Sequence, residues 1–296
     1  MNLAELHIEK LKSGDVKTLA RCISLIENEA EGYEDLLQLL PSAHVPIVGI
    51  TGPPGAGKST LVDDLIGLMI NDNKKVAVLC VDPSSPFNLG ALLGDRIRMS
   101  EWYDNPNVYI RSLATRGSLG GLHPKIIEIT DLLKAAHFDY IIIETVGVGQ
   151  SEIEIAGLAD TTIVVVVPEA GDEIQTMKSG LMEIADMFVV NKSDRPQADT
   201  FVKNLRLMLA PAFHKKETPI PVLKTIASQK KGIEELYAAI KNPIHHNTER
   251  KSWLLTEKVY QLIQKKRMLG IDKNDLKTKI ETAGDDFNLY RFVKDY

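Results

Sequence analysis

The spacing of apolar residues changes character along this 296-residue chain. Between Asp15 and Leu40, the residues Val16, Leu19, Ile23 and Ile26, then Leu36, Leu37 and Leu40, recur at helical spacing with charges between them. This predicts an N-terminal helical arm over residues 1–43. After Pro41-Ser42 the pattern turns into short apolar runs separated by helical stretches. Strands are predicted at Val45 to Ile50, Lys75 to Val81, Val108 to Leu113, Tyr140 to Glu144, Thr162 to Val167, Met187 to Val190 and Pro219 to Lys224. That alternation predicts an α/β fold across residues 44–242, with a mostly parallel central sheet flanked by helices and ligands at the carboxyl ends of its strands. Lys251 to Tyr296 is charged, with Leu254, Leu255, Val259, Leu262 and Ile263 on one stripe, which predicts a C-terminal helical arm over residues 243–296.

Composition narrows the function classes. A hydrophobic content of 44% is ample for a sizeable core, and the net charge of -5 argues against a general nucleic-acid surface. Cys22 and Cys80 fall in a helical and a strand pattern, so neither a disulfide framework nor a cysteine metal site is expected. Met1 to Lys12 lacks a signal-peptide core and the longest apolar run, Ile163 to Val167, is strand-sized, so a soluble cytoplasmic protein with no membrane contact is expected.

The string Gly52-Pro53-Pro54-Gly55-Ala56-Gly57-Lys58-Ser59-Thr60 fits G-x-x-x-x-G-K-[ST] between a predicted strand and a predicted helix. Polyphosphate needs backbone N–H groups converging at the positive end of a helix, and the glycines let the chain wrap that closely. Lys58 would reach the β- and γ-phosphates, and the Ser59 hydroxyl would join the coordination of Mg²⁺.

Directly after the predicted strand Met187 to Val190 stands Asn191-Lys192-Ser193-Asp194, an N-K-x-D string. Guanine presents N1–H and an exocyclic amine side by side, and the Asp194 carboxylate can accept both. Adenine offers an acceptor there, and a buried carboxylate left unpaired would reject it by up to about 10⁴–10⁵. Asn191 would brace the loop and contact the base, with the Lys192 stem along the base face. Ala227, in Thr225-Ile226-Ala227 after the next strand, is either the N–H donor to the purine O6 or an ordinary loop alanine.

Asp82 follows the predicted strand Lys75 to Val81 and Glu144 ends the one beginning at Tyr140, and with Ser59 they are expected to hold Mg²⁺ directly or through water, the alternative being carboxylates solvated at strand ends. Glu144-Thr145-Val146-Gly147 has the shape of the D-x-x-G element with glutamate for aspartate, which makes the Gly147 N–H a candidate γ-phosphate sensor. Asp95, in Gly94-Asp95-Arg96-Ile97-Arg98, would orient the attacking water, or else belongs to a solvated loop. Gln150 stands three residues after Gly147, not directly after it, which speaks against a catalytic role. GTP as substrate and GDP as product, with Mg²⁺, follow from these assignments. The rivals are a metallochaperone GTPase of the urease or hydrogenase maturation type, disfavoured by the absence of C-x-x-C, C-x-H and His-rich tracts, and a P-loop kinase, disfavoured by N-K-x-D.

Taken with Val81-Asp82-Pro83-Ser84-Ser85-Pro86, Gly94-Asp95-Arg96-x-Arg98-Met99, Thr115-Arg116-Gly117-Ser118-Leu119-Gly120-Gly121 and Glu144 to Glu152, these strings resemble the MeaB/MMAA (ArgK-type) P-loop GTPases of the SIMIBI class. The resemblance covers most of the chain. It implies a GTP-hydrolysing chaperone that assists cofactor loading and protection of an adenosylcobalamin-dependent acyl-CoA mutase of the methylmalonyl-CoA mutase type. It also implies that Lys58, Ser59, Asp82, Asp95 and Glu144 serve nucleotide, Mg²⁺ or hydrolysis. Gly171 to Lys178 resembles the family's partner-sensing switch, and the C-terminal helices resemble its dimerisation arm, implying a homodimer. Leu89 departs from a usual glycine, and Ile226 from the usual serine before Ala227.

Overall fold

A computed structural model of the chain describes residues 3–82, 99–116, 122–147, 151–169, 181–209, 219–242, 248–268, 270–284 and 287–295. Two compact units emerge, Met1–Lys251 and Ser252–Tyr296.

In the first unit the described strands form one seven-stranded sheet, every pairing parallel: β1 (Ile47–Thr51), β2 (Val76–Asp82), β3 (Val108–Ala114), β4 (Tyr140–Glu144), β5 (Thr161–Val166), β6 (Met187–Val190) and β7 (Val222–Lys224), in the order β3-β2-β4-β1-β5-β6-β7. This is the parallel α/β architecture that the strand-helix alternation predicts. β1 lies between β4 and β5, so the chain leaves it toward one half of the sheet and later crosses to the other. Ligands gather at such a switch point.

β2, β3 and β5 differ from the sequence pattern by a single residue at one or both ends, and the larger shifts, at the starts of β1 and β7, arise because proline cannot donate to a ladder. Strand pairing begins at Ile47 and not Val45, because Pro46 only accepts, from Ile141 N–H at 3.0 Å. β7 keeps three residues, because Pro219 and Pro221 precede it and Pro221 contributes only its carbonyl, to Phe188 N–H at 2.9 Å.

Both faces of the sheet are covered, which is why the strands read as continuous apolar runs. One face, with Val48, Ile50, Val78, Cys80, Ile142, Val165 and Val189, packs on α4 (Lys58–Asn71) and on the later helix Ile233–Lys241. The alternate residues Val164, Val166, Phe188 and Val190 pack with Phe201, Val202, Leu205 and Leu209 of the helix Ala198–Leu209. Three helices precede β1: α1 (Leu3–Lys12), α2 (Val16–Glu27) and α3 (Tyr33–Gln38). Asp15 caps α2, accepting from Lys17 N–H at 3.0 Å and the Thr18 hydroxyl at 2.7 Å. In the second unit, the helix Lys273–Ala283 follows the end of the long helix Thr248–Arg267.

Candidate functional site

β1 stops at Thr51 and α4 starts at Lys58, so Gly52 to Gly57 make the turn at the carboxyl end of the central strand. Gly57 caps α4 with φ 88°, and a Cβ there would lie 2.4 Å from Asn191 Nδ2. Glycine is thus required both by conformation and by the approach of a second loop. The first-turn amides of α4 point out of the helix end, where backbone N–H groups and the helix dipole favour an anion.

The phosphate-side groups sit within this turn and the strand ends beside it. Lys58 is buried and its Nζ donates to the carbonyls of Gly52 at 2.8 Å and Pro53 at 3.2 Å. The buried Ser59 hydroxyl donates to Glu144 Oε1 at 2.7 Å, across 85 residues of sequence. Glu144 ends β4 opposite Ile50 of β1 and Cys80 of β2, and Asp82 lies two residues beyond Cys80. Both carboxylates are buried. After Glu144, Thr145 is fixed to β1 twice, through its N–H to Ile50 O at 3.0 Å and its hydroxyl to Thr51 Oγ1 at 2.8 Å. Gly147 then adopts φ 82°, and a Cβ there would fall 2.0 Å from Gly52 O and 2.7 Å from Lys58 Nζ. Gly147 therefore lies directly against the phosphate-loop turn. Thr60, on the first turn of α4, is exposed.

The donors at these strand ends are the Ser59 hydroxyl, in contact with the Glu144 carboxylate, and the Asp82 carboxylate at the end of β2. Hard oxygen ligands of this kind suit Mg²⁺, which keeps water and phosphate oxygens in its remaining positions. Among the described residues no group of three or more His, Cys, Asp or Glu side chains could hold a metal ion. An ion here would rest on few protein ligands.

The second loop follows β6. Asn191 is 2% exposed and acts as a three-way joint. Its Nδ2 donates to Ala56 O at 2.9 Å, while its Oδ1 accepts from the Thr225 hydroxyl at 3.0 Å and from Ala227 N–H at 3.1 Å. Lys192, at φ 55°, reaches across to Gly55 O at 2.7 Å. The Ser193 N–H bonds Thr225 O at 3.0 Å. Lys58, Asn191, Lys192 and Ala227 are thus joined in one structure. The role of Thr225 was not evident from the motif. Its signal is a hydroxyl at the end of β7, one strand over from Asn191.

Asp194 differs from the sequence expectation in its surroundings: it is exposed, not buried. A base resting on it would itself have to exclude water. Beside it Arg195 pairs with Glu169, just past β5. Partial burial pushes the Glu169 carboxyl up, but its own backbone N–H and the Arg195 guanidinium outweigh this and hold it below the usual range. Asp95, Leu89, Gln150 and the segment Gly171 to Lys178 lie outside the described residues.

A family model described as methylmalonyl Co-A mutase-associated GTPase MeaB matches residues 19–285. A protein of Pyrococcus abyssi designated as a GTPase is 47% identical over 256 residues, covering 85% of this chain and 78% of its own length. A fused isobutyryl-CoA mutase of Geobacillus kaustophilus is 38% identical over 255 residues, covering 80% of this chain and 23% of that protein. Among solved structures, a LAO/AO transport system kinase superposes with a TM-score of 0.69 at 26% identity, covering 100% of this chain and 97% of its own.

Proposed function

The chain belongs to the methylmalonyl-CoA mutase-associated GTPase family and is a GTPase, and from that premise we propose that it is a GTP-driven chaperone of an adenosylcobalamin-dependent acyl-CoA mutase, assisting cofactor loading and protecting the loaded enzyme. The observation that carries the nucleotide half is the Asn191 joint, which locks the base loop, the Thr225 loop and the phosphate loop into one rigid frame. In this proposal Gly52 to Thr60 wrap the phosphates, Lys58 stabilises the developing negative charge, and Ser59, Asp82 and Glu144 hold Mg²⁺, through which Glu144 serves hydrolysis. Asp95 orients water, and Gly147 reports the γ-phosphate. Asp194 selects guanine. Ala227 N–H already serves Asn191, so it would reach the purine O6 only as a shared donor.

The mutase half rests on the family's association and on the relative in which a matching segment is fused to an isobutyryl-CoA mutase. A γ-phosphate-ordered loop that relaxes on hydrolysis is a known physical basis for such timing. Homodimerisation through the C-terminal arm is supported by the exposed apolar residues Leu255, Val259, Leu262 and Ile263 on one helix, each 47–53% accessible. No described helix is long and apolar enough to cross a membrane. The test is GTP turnover with and without a cobalamin-loaded methylmalonyl-CoA or isobutyryl-CoA mutase. Slow basal turnover accelerated by the mutase is expected, and turnover indifferent to both mutases, together with no co-elution, would refute the chaperone role.

A further inference from the structure

Among the described residues β3 is the edge strand on its side of the sheet, paired there with β2. The ladder runs one residue past β3, where Thr115 N–H donates to Asp82 O at 3.0 Å. This bond ties the β3 exit to the backbone of the carboxylate assigned above to Mg²⁺.

The other side of that exit is held by the N-terminal helices. Arg116, the next residue, takes the left-handed conformation at φ 48°, uncommon for a side chain with a Cβ. Its guanidinium donates to Glu27 O and, at 3.1 Å, to Asn28 Oδ1. Asn28 is the C-cap of α2, and α2 has no basic residue in its last turn. The carboxyl end of a helix carries partial negative charge and carbonyls without helical partners. Arg116 supplies from the sheet the cation that the helix's own sequence lacks. A second arginine of the strand, Arg111, pairs with the Glu27 carboxylate, whose side chain is 10% exposed. Lys125, just before the helix that starts at Ile126, pairs with Glu29 at 2.9 Å. The end of α2 is therefore gripped by cations from both sides of the segment 117–121.

We propose that Arg116 is a positioning residue for the metal site: anchored to the carboxyl end of α2, it fixes Thr115 and through it the Asp82 backbone, so that the Asp82 carboxylate is presented to Mg²⁺ in one orientation. The N-terminal helices are then part of the hydrolytic machinery. This rests on the assignment of Asp82 to the metal. Groups that orient a metal ligand typically contribute about 10–100-fold in metal affinity.

The experiment is a Mg²⁺ titration of GTP hydrolysis by the full chain for wild type, Arg116→Ala, Arg116→Lys and Asp82→Asn, with thermal melts and GDP affinity in EDTA measured alongside. Arg116→Ala is expected to raise the half-saturating Mg²⁺ concentration about tenfold while leaving GDP affinity in EDTA unchanged. Arg116→Lys, which keeps the charge and loses the two-pronged donor, should recover part of that shift. If Arg116→Ala fails to fold, Asn28→Ala removes one of the two acceptors and should move the Mg²⁺ midpoint in the same direction by less. A lowered melting temperature with an unchanged Mg²⁺ midpoint would overturn the proposal and leave the clasp a stabilising contact. If Asp82→Asn moves the midpoint and neither Arg116→Ala nor Asn28→Ala does, positioning alone fails. If Asp82→Asn leaves it unmoved, the metal assignment fails and the positioning role with it.

Discussion

At the phosphate end of the site the functional side chains are buried and already engaged: Lys58 on the carbonyls of Gly52 and Pro53, Ser59 on Glu144. At the base end the two polar residues of one short loop part company, Asn191 sunk to 2% exposure with three partners and Asp194 open to solvent. The difference separates scaffold from recognition. Buried polar groups must be paired by the protein, because an unpaired one costs about 1–3 kcal/mol. An exposed carboxylate needs no such partner and can be kept for the ligand. The phosphate end holds a part of every nucleoside triphosphate that never varies, whereas the base end must discriminate.

Substitutions should split along that line. The largest effect is expected from Lys58→Ala, which removes a preorganised cation from the phosphates and should lower kcat by about 10²–10³-fold. The preference for guanine over adenine in whatever diphosphate binding remains should persist. A variant that hydrolyses GTP at the wild-type rate would remove Lys58 from the machinery. Asn191→Ala should act on the frame instead. It leaves the buried Ala56 carbonyl, the Thr225 hydroxyl and the Ala227 N–H without their partner, so a loss of about 2–3 kcal/mol in unfolding free energy is expected by denaturant titration. Asp194→Asn, at an exposed position, should change stability by no more than about 0.5 kcal/mol. Equal destabilisation by the two loop variants would erase the distinction between frame and reader.

Much of this was legible beforehand, because it is local. Parallel strands buried on both faces read as apolar runs, and β4 and β6 fall on the residues expected, Tyr140–Glu144 and Met187–Val190. The largest boundary shifts fall at Pro46, Pro219 and Pro221, where apolar character continues but the donor is missing, and the other shifted strand ends move by a single residue. The phosphate loop and N-K-x-D are contiguous strings, and a string can be recognised without knowing what it touches. What the sequence could not show is pairing at a distance. Ser59 meets Glu144 across 85 residues, Asn191 meets Ala56 across 135, and Arg116 meets the end of α2 across 89. No periodicity encodes those contacts, since one hydrogen bond leaves no repeating pattern in the chain. The exposure of Asp194 was hidden for a related reason. Burial was inferred from the chemistry of rejecting adenine, and that burial would be completed by the base itself.

Calorimetric titration of the Mg²⁺-supplemented protein with GDP and with ADP, repeated on Asp194→Asn, tests guanine selection by the exposed carboxylate most directly. Wild type is expected to prefer GDP by a factor on the order of 10³ or more, and Asp194→Asn to lose most of that preference while melting within a degree or two of wild type. Equal affinity of the wild-type protein for GDP and ADP would contradict the assignment of the Asn191-to-Asp194 loop to guanine.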